Sequence, residues 1–381
     1  MTKTGEPVRV LHSTYWMNVG GIETLLMSIY RAIDRSRVQF DFLLNYEGRS
    51  FYDNEIEALG GCIYHVPQRV GNPIAARKAH EAFFKEHRDY SIAQFHMGHM
   101  GGMLPIKVAK EQGVGTRIIH AHNAHVKLPA VRAALHSLDI PRSKRLCTDF
   151  FACSEDAARY FGFDATGPKA WRYVPNGIDC ARFSFAPENR AAVRAELGLG
   201  DGKPCIGMVG RLEPQKNHKF GIDSFCELVK ELPEARLLLV GEGTIEAEIR
   251  EYVAARGVAG KVTFLGSRHD VERLYAAMDA FLFPSVYEGF GIVLVEAQAS
   301  GLPCVVSDAI PKEAVICPDT KAIALDAGAG EWARALRDAL LQGRNPHGAD
   351  QVRAAGFDIN NVAEELCEFY LSRSGSAASV R

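Results

Sequence analysis

The chain has 381 residues, 47% of them hydrophobic and 24% charged, a composition typical of a globular protein long enough for two domains. Its 44 basic and 46 acidic residues leave a formal net charge of −2, which excludes an overall attraction to nucleic acid or anionic lipid. Apolar runs are too short to span a membrane, the N-terminus is polar and the nine cysteines form no C-x-x-C pair, so we expect a reduced, cytoplasmic protein.

Predicted strands and helices alternate through the first half. The first strand, residues 8–12, is followed by a loop ending in Gly20-Gly21 and by an amphipathic helix over 23–33. Further strands are predicted at residues 40–44, 62–66, 92–96 and 150–154, with helices at 51–59 and 74–86. This alternation predicts a doubly wound parallel sheet. A glycine pair between strand and helix is typical of a phosphate site, and a tight turn without a ligand is the alternative.

Three histidines lie close together near the end of a later strand. His120, His122 and His125 suggest zinc, but no cysteine or carboxylate nearby completes a ligand set. We therefore expect no metal site.

Residues 127–145 combine basic and apolar side chains. The basic residues are Lys127, Arg132, Arg142, Lys144 and Arg145. Two interpretations remain open: peripheral contact with a membrane surface, and a helix packed on its own domain with solvated charges.

The strand and helix pattern restarts after turn-forming residues at 173–179. Strands are predicted at residues 206–209, 236–240, 262–265, 280–283 and 305–307, the last closing the sheet. The loop after 206–209 carries Arg211 and Lys216, which suit a diphosphate because arginine offers a fork of donors and lysine a mobile point charge.

The most informative stretch begins at the strand over residues 280–283. A helix from Ile292 ends at the C-cap residue Gly301, which a proline follows two positions later. Gly289 and Gly291 lack side chains where this helix begins, so a ligand could approach the free N–H groups and the positive end of the helix dipole. The sequence therefore predicts an anion site, best suited to phosphate.

Two carboxylates flank this site. Glu288 is predicted in the loop and Glu296 on the helix, about 10 Å apart at 1.5 Å per helical residue. Carboxylates facing a phosphate would repel it, so we expect them to accept hydrogen bonds from neutral hydroxyls on either side, as in a nucleotide-sugar. The alternative is that both are solvated surface charges.

The stretch from Glu288 to Glu296 resembles the E-x7-E signature of retaining glycosyltransferases of family 4. The string EAQASGLP at 296–303, followed by SDAI at 307–310, is most similar to enzymes of exopolysaccharide and capsule synthesis. The resemblance implies the GT-B fold, with two Rossmann-like doubly wound parallel-sheet domains facing a cleft. It places an acceptor domain at 1–175 and a nucleotide-sugar domain at 176–358, with a final helix at 360–375 packing back on the first. We expect a disordered tail from Ser374 onward.

The resemblance also implies site residues. Gly20 and Gly21 would lie against the donor diphosphate, and the backbone around Arg268 would dock the nucleobase. The substrate site would further include Gly289, Phe290, Gly291 and Glu296, and the catalytic set would be His122, Glu288, Arg211 and Lys216. The family's active-site histidine leaves a choice between His120 and His122. We assign it to His122, which is nearer the carboxyl end of its strand by about 6.6 Å, and expect His120 to be a hydrogen-bonded core residue.

The implied activity is transfer of a hexosyl group from a UDP-linked sugar to a hydroxyl of a glycan or lipid-linked glycan, with retention. We expect no cofactor and no metal, since the sequence has no D-x-D motif. The loop around residues 96–102, at a strand end, is assigned to the acceptor side. Alternatives are a nucleotide-sugar epimerase or phosphorylase on this fold, and a non-catalytic nucleotide-sugar-binding protein. A glycoside hydrolase would not need the Arg–Lys pair.

Overall fold

The computed structural model describes residues 6–18, 20–67, 72–123, 128–200 and 202–376. The chain divides into two compact units. Unit 1 runs to Gly177 and resumes at Ile359, and unit 2 is Ile178–Asp358. Each unit contains a parallel sheet between helices, which confirms the predicted α/β class. Within the described ranges, no helix is both long and apolar enough to cross a bilayer.

Unit 1 has a seven-stranded sheet. Its strands are β1 (Val8–Thr14), β2 (Val38–Leu44), β3 (Ile63–His65), β4 (Ile92–Met97), β5 (Thr116–Ala121), β6 (Asp149–Ala152) and β7 (Arg172–Tyr173). Its first six helices are α1 (Gly21–Ala32), α2 (Asp53–Ala58), α3 (Pro73–Glu86), α4 (Leu104–Glu111), α5 (Ala130–Leu146) and α6 (Glu155–Tyr160). The strand order is β3-β2-β1-β4-β5-β6-β7, so the winding changes direction between β1 and β4. Such a switch point is where open parallel sheets bind ligands.

Both faces of the first sheet are buried. Val10 and Ile92 belong to the apolar core on one face, while Leu11 and Ala93 belong to the core on the other. Burial on both faces explains why these strands are continuous apolar runs rather than alternating patterns.

Unit 2 has a six-stranded parallel sheet. Its strands are β8 (Cys205–Val209), β9 (Arg236–Val240), β10 (Val262–Phe264), β11 (Ala280–Phe283), β12 (Cys304–Ser307) and β13 (Thr320–Ile323). Its helices are α7 (Pro187–Glu196), α8 (His218–Glu231), α9 (Glu246–Ala255), α10 (Val271–Ala277), α11 (Ile292–Ala299), α12 (Ala329–Gln342) and α13 (Gly348–Val352). The order is β10-β9-β8-β11-β12-β13, with the switch point between β8 and β11.

Two strands at sheet edges correct the sequence prediction. β7 lies beyond the strand that was expected to end the first half, and β13 lies beyond the strand that was expected to close the second sheet. Both residues of β7 are exposed, and two of the four in β13 are exposed, so neither strand carries the apolar run on which the prediction depended.

The last helix, α14 (Ile359–Ser376), belongs to unit 1. Leu366, Phe369 and Tyr370 complete the core on one face of the first sheet, and the Tyr370 hydroxyl donates to Gln94 Oε1 at 2.7 Å. The tail predicted from Ser374 is helical as far as Ser376, and residues 377–381 lie outside the described residues.

Candidate functional site

In unit 2, the loops that follow β8 and β11 come together at the switch point. The backbone N–H of Val286 donates to the Gln215 carbonyl at 2.9 Å, and Gln215 Nε2 donates to the Tyr287 carbonyl at 2.8 Å. Because β8 and β11 are parallel neighbours, their carboxyl ends lie side by side. The predicted residues of both loops therefore share one edge of the sheet.

Lys216 and Glu288 form an ion pair across this edge. Lys216 Nζ lies 2.8 Å from Glu288 Oε1, and only 15% and 7% of the two side chains are exposed. The ammonium also lies 5.0 Å from the centroid of the Phe283 ring. The sequence predicted both residues but not their pairing. An anion that binds here would share Lys216 with a carboxylate already in contact with it.

The N-terminus of α11 is open at the same edge. Gly291 precedes the helix with φ of +92°, a conformation that favours glycine, and no side chain among the described residues caps this end. Gly289 is half-buried. Phe290 is buried and stacks on Phe357 with ring centroids 5.5 Å apart, so its side chain belongs to the core.

Glu296 lies further along α11 and has a partner that the sequence did not reveal. The Tyr275 hydroxyl lies 3.0 Å from Glu296 Oε2 and 3.0 Å from the Val293 carbonyl oxygen. Burial raises the pKa of Glu296 to about 7, the Tyr275 bond and the charge of Arg182 oppose the rise, and Glu272 adds to it. Tyr275 reads in the sequence as one more apolar residue of α10, which is why its role was missed.

The two arginines predicted for the site differ in their surroundings. Arg211 follows β8 and is exposed. Arg268 follows β10, two strands from β8, and its side chain contacts Asp270 at 2.7 Å and Glu196 at 3.2 Å. The Arg268 guanidinium is thus bound by acids, and its backbone is the part available for the expected nucleobase contact.

In unit 1, the predicted glycine pair lies at the start of α1, with Gly20 as its N-cap and Gly21 as its first residue. Gly20 has extended backbone, and a Cβ atom built on it would overlap Glu23 Oε2, so a larger residue there would displace the end of the Glu23 side chain. A Cβ on Gly21 would meet open space. Glu23 is buried, and burial raises the pKa of its carboxyl. A carboxyl group therefore lies where the sequence analysis expected a diphosphate.

Four histidines form a buried cluster at the switch point of unit 1. His12 Nδ1 lies 3.0 Å from His96 Nε2, and His96 Nδ1 lies 2.9 Å from His122 Nε2. His122 directly follows β5, and His120 lies within it, with Nδ1 3.1 Å from Gln94 Nε2. The expectation that His120 is a hydrogen-bonded core residue is confirmed. His12 was not predicted from the sequence, and His96 was predicted only as part of an acceptor loop. His125 lies outside the described residues.

These imidazoles are neutral at physiological pH. Burial lowers the pKa of His12 and of His122 to about 3. Burial likewise lowers the pKa of His96 and His120 well below the usual range, and neighbouring imidazoles add to the shift.

Three of these histidines could hold a metal ion. One nitrogen each from His96, His120 and His122 lies within 4.8 Å of the others. His96 comes from another strand, so it is not among the neighbours along the chain on which the expectation of no metal was based. The expectation of no metal stays a prediction.

In the segment predicted at 127–145, Lys127 lies outside the described residues, and the continuous helix α5 begins at Ala130. Its inner face packs on unit 1, where the His136 ring Nε2 lies 3.0 Å from the Tyr160 carbonyl oxygen. Its outer face exposes Val131 and Leu138. A groove of about 810 Å³ lies between α3, α4 and α5. Residues lining it include Ile74, Leu104, Leu135, Lys78, Arg142 and Arg145.

Comparisons with known proteins agree with this fold. The family model described as "Glycosyl transferases group 1" matches residues 189–354. EpsF of Bacillus subtilis (strain 168) is 35% identical to this chain over 316 residues, which cover 80% of each chain. Its name assigns it provisionally to the glycosyltransferases. The UDP-Gal:alpha-D-GlcNAc-diphosphoundecaprenol alpha-1,3-galactosyltransferase of Escherichia coli is 24% identical over 322 residues, 81% of each chain. The crystal structure of Anabaena HepE with UDP and glucose aligns to this protein with a TM-score of 0.76 and 19% sequence identity. The alignment covers 96% of this chain and 100% of the HepE chain, so the two proteins share a fold.

Proposed function

The chain belongs to the glycosyl transferases group 1 family and has its GT-B fold, and on that premise we propose that it transfers a hexosyl group from a UDP-linked sugar to a glycan hydroxyl. The acceptor is a growing glycan or a lipid-linked glycan in polysaccharide biosynthesis, and the anomeric configuration is retained. The relatives support this choice: the E. coli enzyme is named for a UDP-linked donor and a diphosphoundecaprenol-linked acceptor, and HepE was crystallised with UDP and glucose.

The observation that carries the proposal is the switch point of unit 2. Lys216 and the open N-terminus of α11 meet there, beside the Glu288 carboxylate. Departure of the sugar leaves negative charge on the diphosphate, and fixed donors stabilise such charge by about 3 kcal/mol each in comparable sites. Arg211, which is exposed on the same loop as Lys216, would add a mobile fork of donors once the diphosphate is bound.

The remaining roles follow from the other site residues. Glu296 accepts hydrogen bonds from the ribose hydroxyls, and Glu288 holds Lys216 while facing the sugar or its phosphate. His122 is neutral and donates to a sugar hydroxyl, which fixes the anomeric carbon for attack. Cationic side chains and a helix dipole supply the charge that a metal would otherwise provide, so we propose that turnover does not require a metal.

One screen separates this function from its alternatives. Thermal shifts of the purified protein are measured with UDP-, GDP- and ADP-sugars, and release of the nucleoside diphosphate is then followed with and without glycan acceptors. We expect stabilisation by UDP-sugars, acceptor-dependent UDP release that persists in EDTA, and a product with the donor's anomeric configuration by NMR. Conversion of the donor to another UDP-sugar without net UDP release would indicate an epimerase, and binding without turnover would indicate a non-catalytic protein.

We also propose that α5 and its groove contact an anionic membrane surface, where a lipid-linked acceptor lies. Exposed Val131 and Leu138 would enter the interface while the basic groove residues meet phosphate headgroups. The packed inner face of α5 does not conflict with this, since a different face is used.

The membrane contact is tested by co-sedimentation with vesicles containing phosphatidylglycerol. Lys78→Glu/Arg145→Glu reverses two groove charges, and Lys85→Glu/Arg88→Glu makes the same charge change at exposed positions outside the groove lining. We expect salt-sensitive binding that only the first pair abolishes. Equal losses in both pairs would leave a nonspecific charge effect, and no binding at low salt would refute the contact.

A further inference from the structure

We propose that His96 is a positioning residue that holds the His122 ring and fixes its tautomer, so that His122 presents a protonated Nδ1 to the substrate. The use of that proton in the reaction rests on the function proposed above. The arrangement of the histidines themselves does not.

Three imidazoles form a hydrogen-bonded chain across β1, β4 and the end of β5. His12 Nδ1 and His96 Nε2 are 3.0 Å apart, and His96 Nδ1 and His122 Nε2 are 2.9 Å apart. His96 uses both of its nitrogens in these bonds. His122 uses Nε2, so Nδ1 is the nitrogen left to face a ligand.

Each neutral imidazole has one N–H and one lone pair, which permits only two proton arrangements. In the first, His12 donates to His96, and His96 donates to His122, which leaves the proton of His122 on Nδ1. In the second, both bonds run the other way and His12 carries its proton on Nε2. The rings are neutral because burial disfavours their charged form.

The inner end of the chain decides between the two. His12 is 1% exposed, its ring centroid lies 4.1 Å from that of Phe40, and its Nε2 has no hydrogen-bond partner among the described residues. The second arrangement would bury an unpaired N–H there, and buried donors without partners are rarer in proteins than buried acceptors without partners. The first arrangement avoids this and directs a donor outward at His122.

His120 lies beside this chain but is not part of it. Its ring centroid is 4.1 Å from that of His122, yet its Nδ1 bonds to Gln94. It is therefore a matched control: a buried imidazole next to His122 whose loss leaves the bond from His96 intact.

The test reads the tautomer directly. Long-range ¹H–¹⁵N spectra of the full chain labelled with ¹⁵N-histidine report which nitrogen of each ring is protonated, and His122→Gln identifies the signals of that residue. The variants are His96→Leu, which removes the bond, His96→Asn, whose amide replaces the Nδ1 donor, and His120→Asn as the control. Transfer kinetics with a UDP-sugar are measured on the same samples.

We expect His122 to be protonated on Nδ1 in the natural protein, in His96→Asn and in His120→Asn, and to show a tautomer mixture in His96→Leu. His96→Leu should also lower kcat at least tenfold with little change in KM for the donor, and His96→Asn should restore most of it. A changed tautomer without a change in kcat would support the positioning and refute the proposed role of His122.

Three results would overturn the inference. They are a His122 proton on Nε2 in the natural protein, an unchanged tautomer in His96→Leu, and one equivalent of zinc on these histidines in the purified protein. The last is measured by elemental analysis and would replace the hydrogen-bonded chain by the three-nitrogen metal site that the same atoms permit.

Discussion

Binding of a nucleotide-sugar should draw a proton from Glu296. Because its pKa is about 7, about nine-tenths of the carboxyls are protonated at pH 6 and about one-tenth at pH 8. Ribose hydroxyls donate more strongly to a carboxylate than to a neutral carboxyl group. If only the ionised form accepts both hydroxyls, affinity rises about tenfold from pH 6 to pH 8.

Glu296→Gln isolates this effect. Glutamine keeps an oxygen acceptor for the Tyr275 hydroxyl but cannot ionise. The variant should bind more weakly than the natural protein at pH 8 and show no rise between pH 6 and pH 8. UDP-glucose is the ligand of choice because its diphosphate diester does not titrate in this range, and calorimetry in two buffers of different ionisation enthalpy measures the released proton. The role of Glu296 would be refuted if the affinity of the natural protein did not change with pH, or if the variant kept the rise in affinity between pH 6 and pH 8.

The same pKa makes a stability prediction of known sign. In the unfolded chain the carboxyl has its ordinary pKa near 4.5, and folding raises it, so the folded state holds more protons between the two values. The contribution of this group is fully present below about pH 4.5 and is lost as the pH rises through 7. The loss reaches about 3 kcal/mol at pH 8. Glu296→Gln should therefore match the natural protein in urea unfolding at pH 4.5 and exceed it at pH 8, and a variant less stable at pH 8 would contradict this.

Three further predictions concern the other site residues. Lys216→Ala should weaken UDP-glucose binding and lower the free energy of unfolding by about 3 kcal/mol, because it leaves Glu288 buried without its partner. The double variant Lys216→Met/Glu288→Gln should recover the stability measured by urea unfolding but not the affinity for UDP-glucose. Arg211→Ala should weaken binding with an unchanged melting temperature, because Arg211 is exposed, and a large thermal shift would refute this. His122→Ala should lower turnover more than about tenfold and leave the melting temperature normal, while His120→Ala should mainly lower stability. If instead His120→Ala abolishes activity in a well-folded protein and His122→Ala does not, the two roles must be exchanged.

Local patterns were enough to predict the elements around the site. The strand Ala280–Phe283 and the helix Ile292–Ala299 match the sequence prediction because an apolar run, a proline and positive-φ glycines mark their ends within a few residues. The edge strands β7 and β13 lack such marks. They are strands because a neighbouring strand offers hydrogen-bond partners, which is a property of the sheet and not of their own residues.

Side-chain partners could not be predicted from the sequence alone. Lys216 and Glu288 are 72 positions apart, and His12 and His96 are 84 apart. Periodicity indicates which residues lie at strand ends, but it does not give the order of the strands in the sheet. Without the order β1-β4-β5, nothing brings His96 beside His122.

Because helix α14 belongs to unit 1, this unit consists of two stretches of the chain, which leave the ribosome at different times. The strands of its sheet are synthesised first, but some of the side chains that cover one of its faces, including Leu366 and Tyr370, come only after all of Ile178–Asp358. During that interval an apolar surface stays uncovered, a state in which nascent chains aggregate. Unit 2 has no such delay, since its residues are contiguous. A premature stop codon just before α14 would thus damage the part of the protein that was made first.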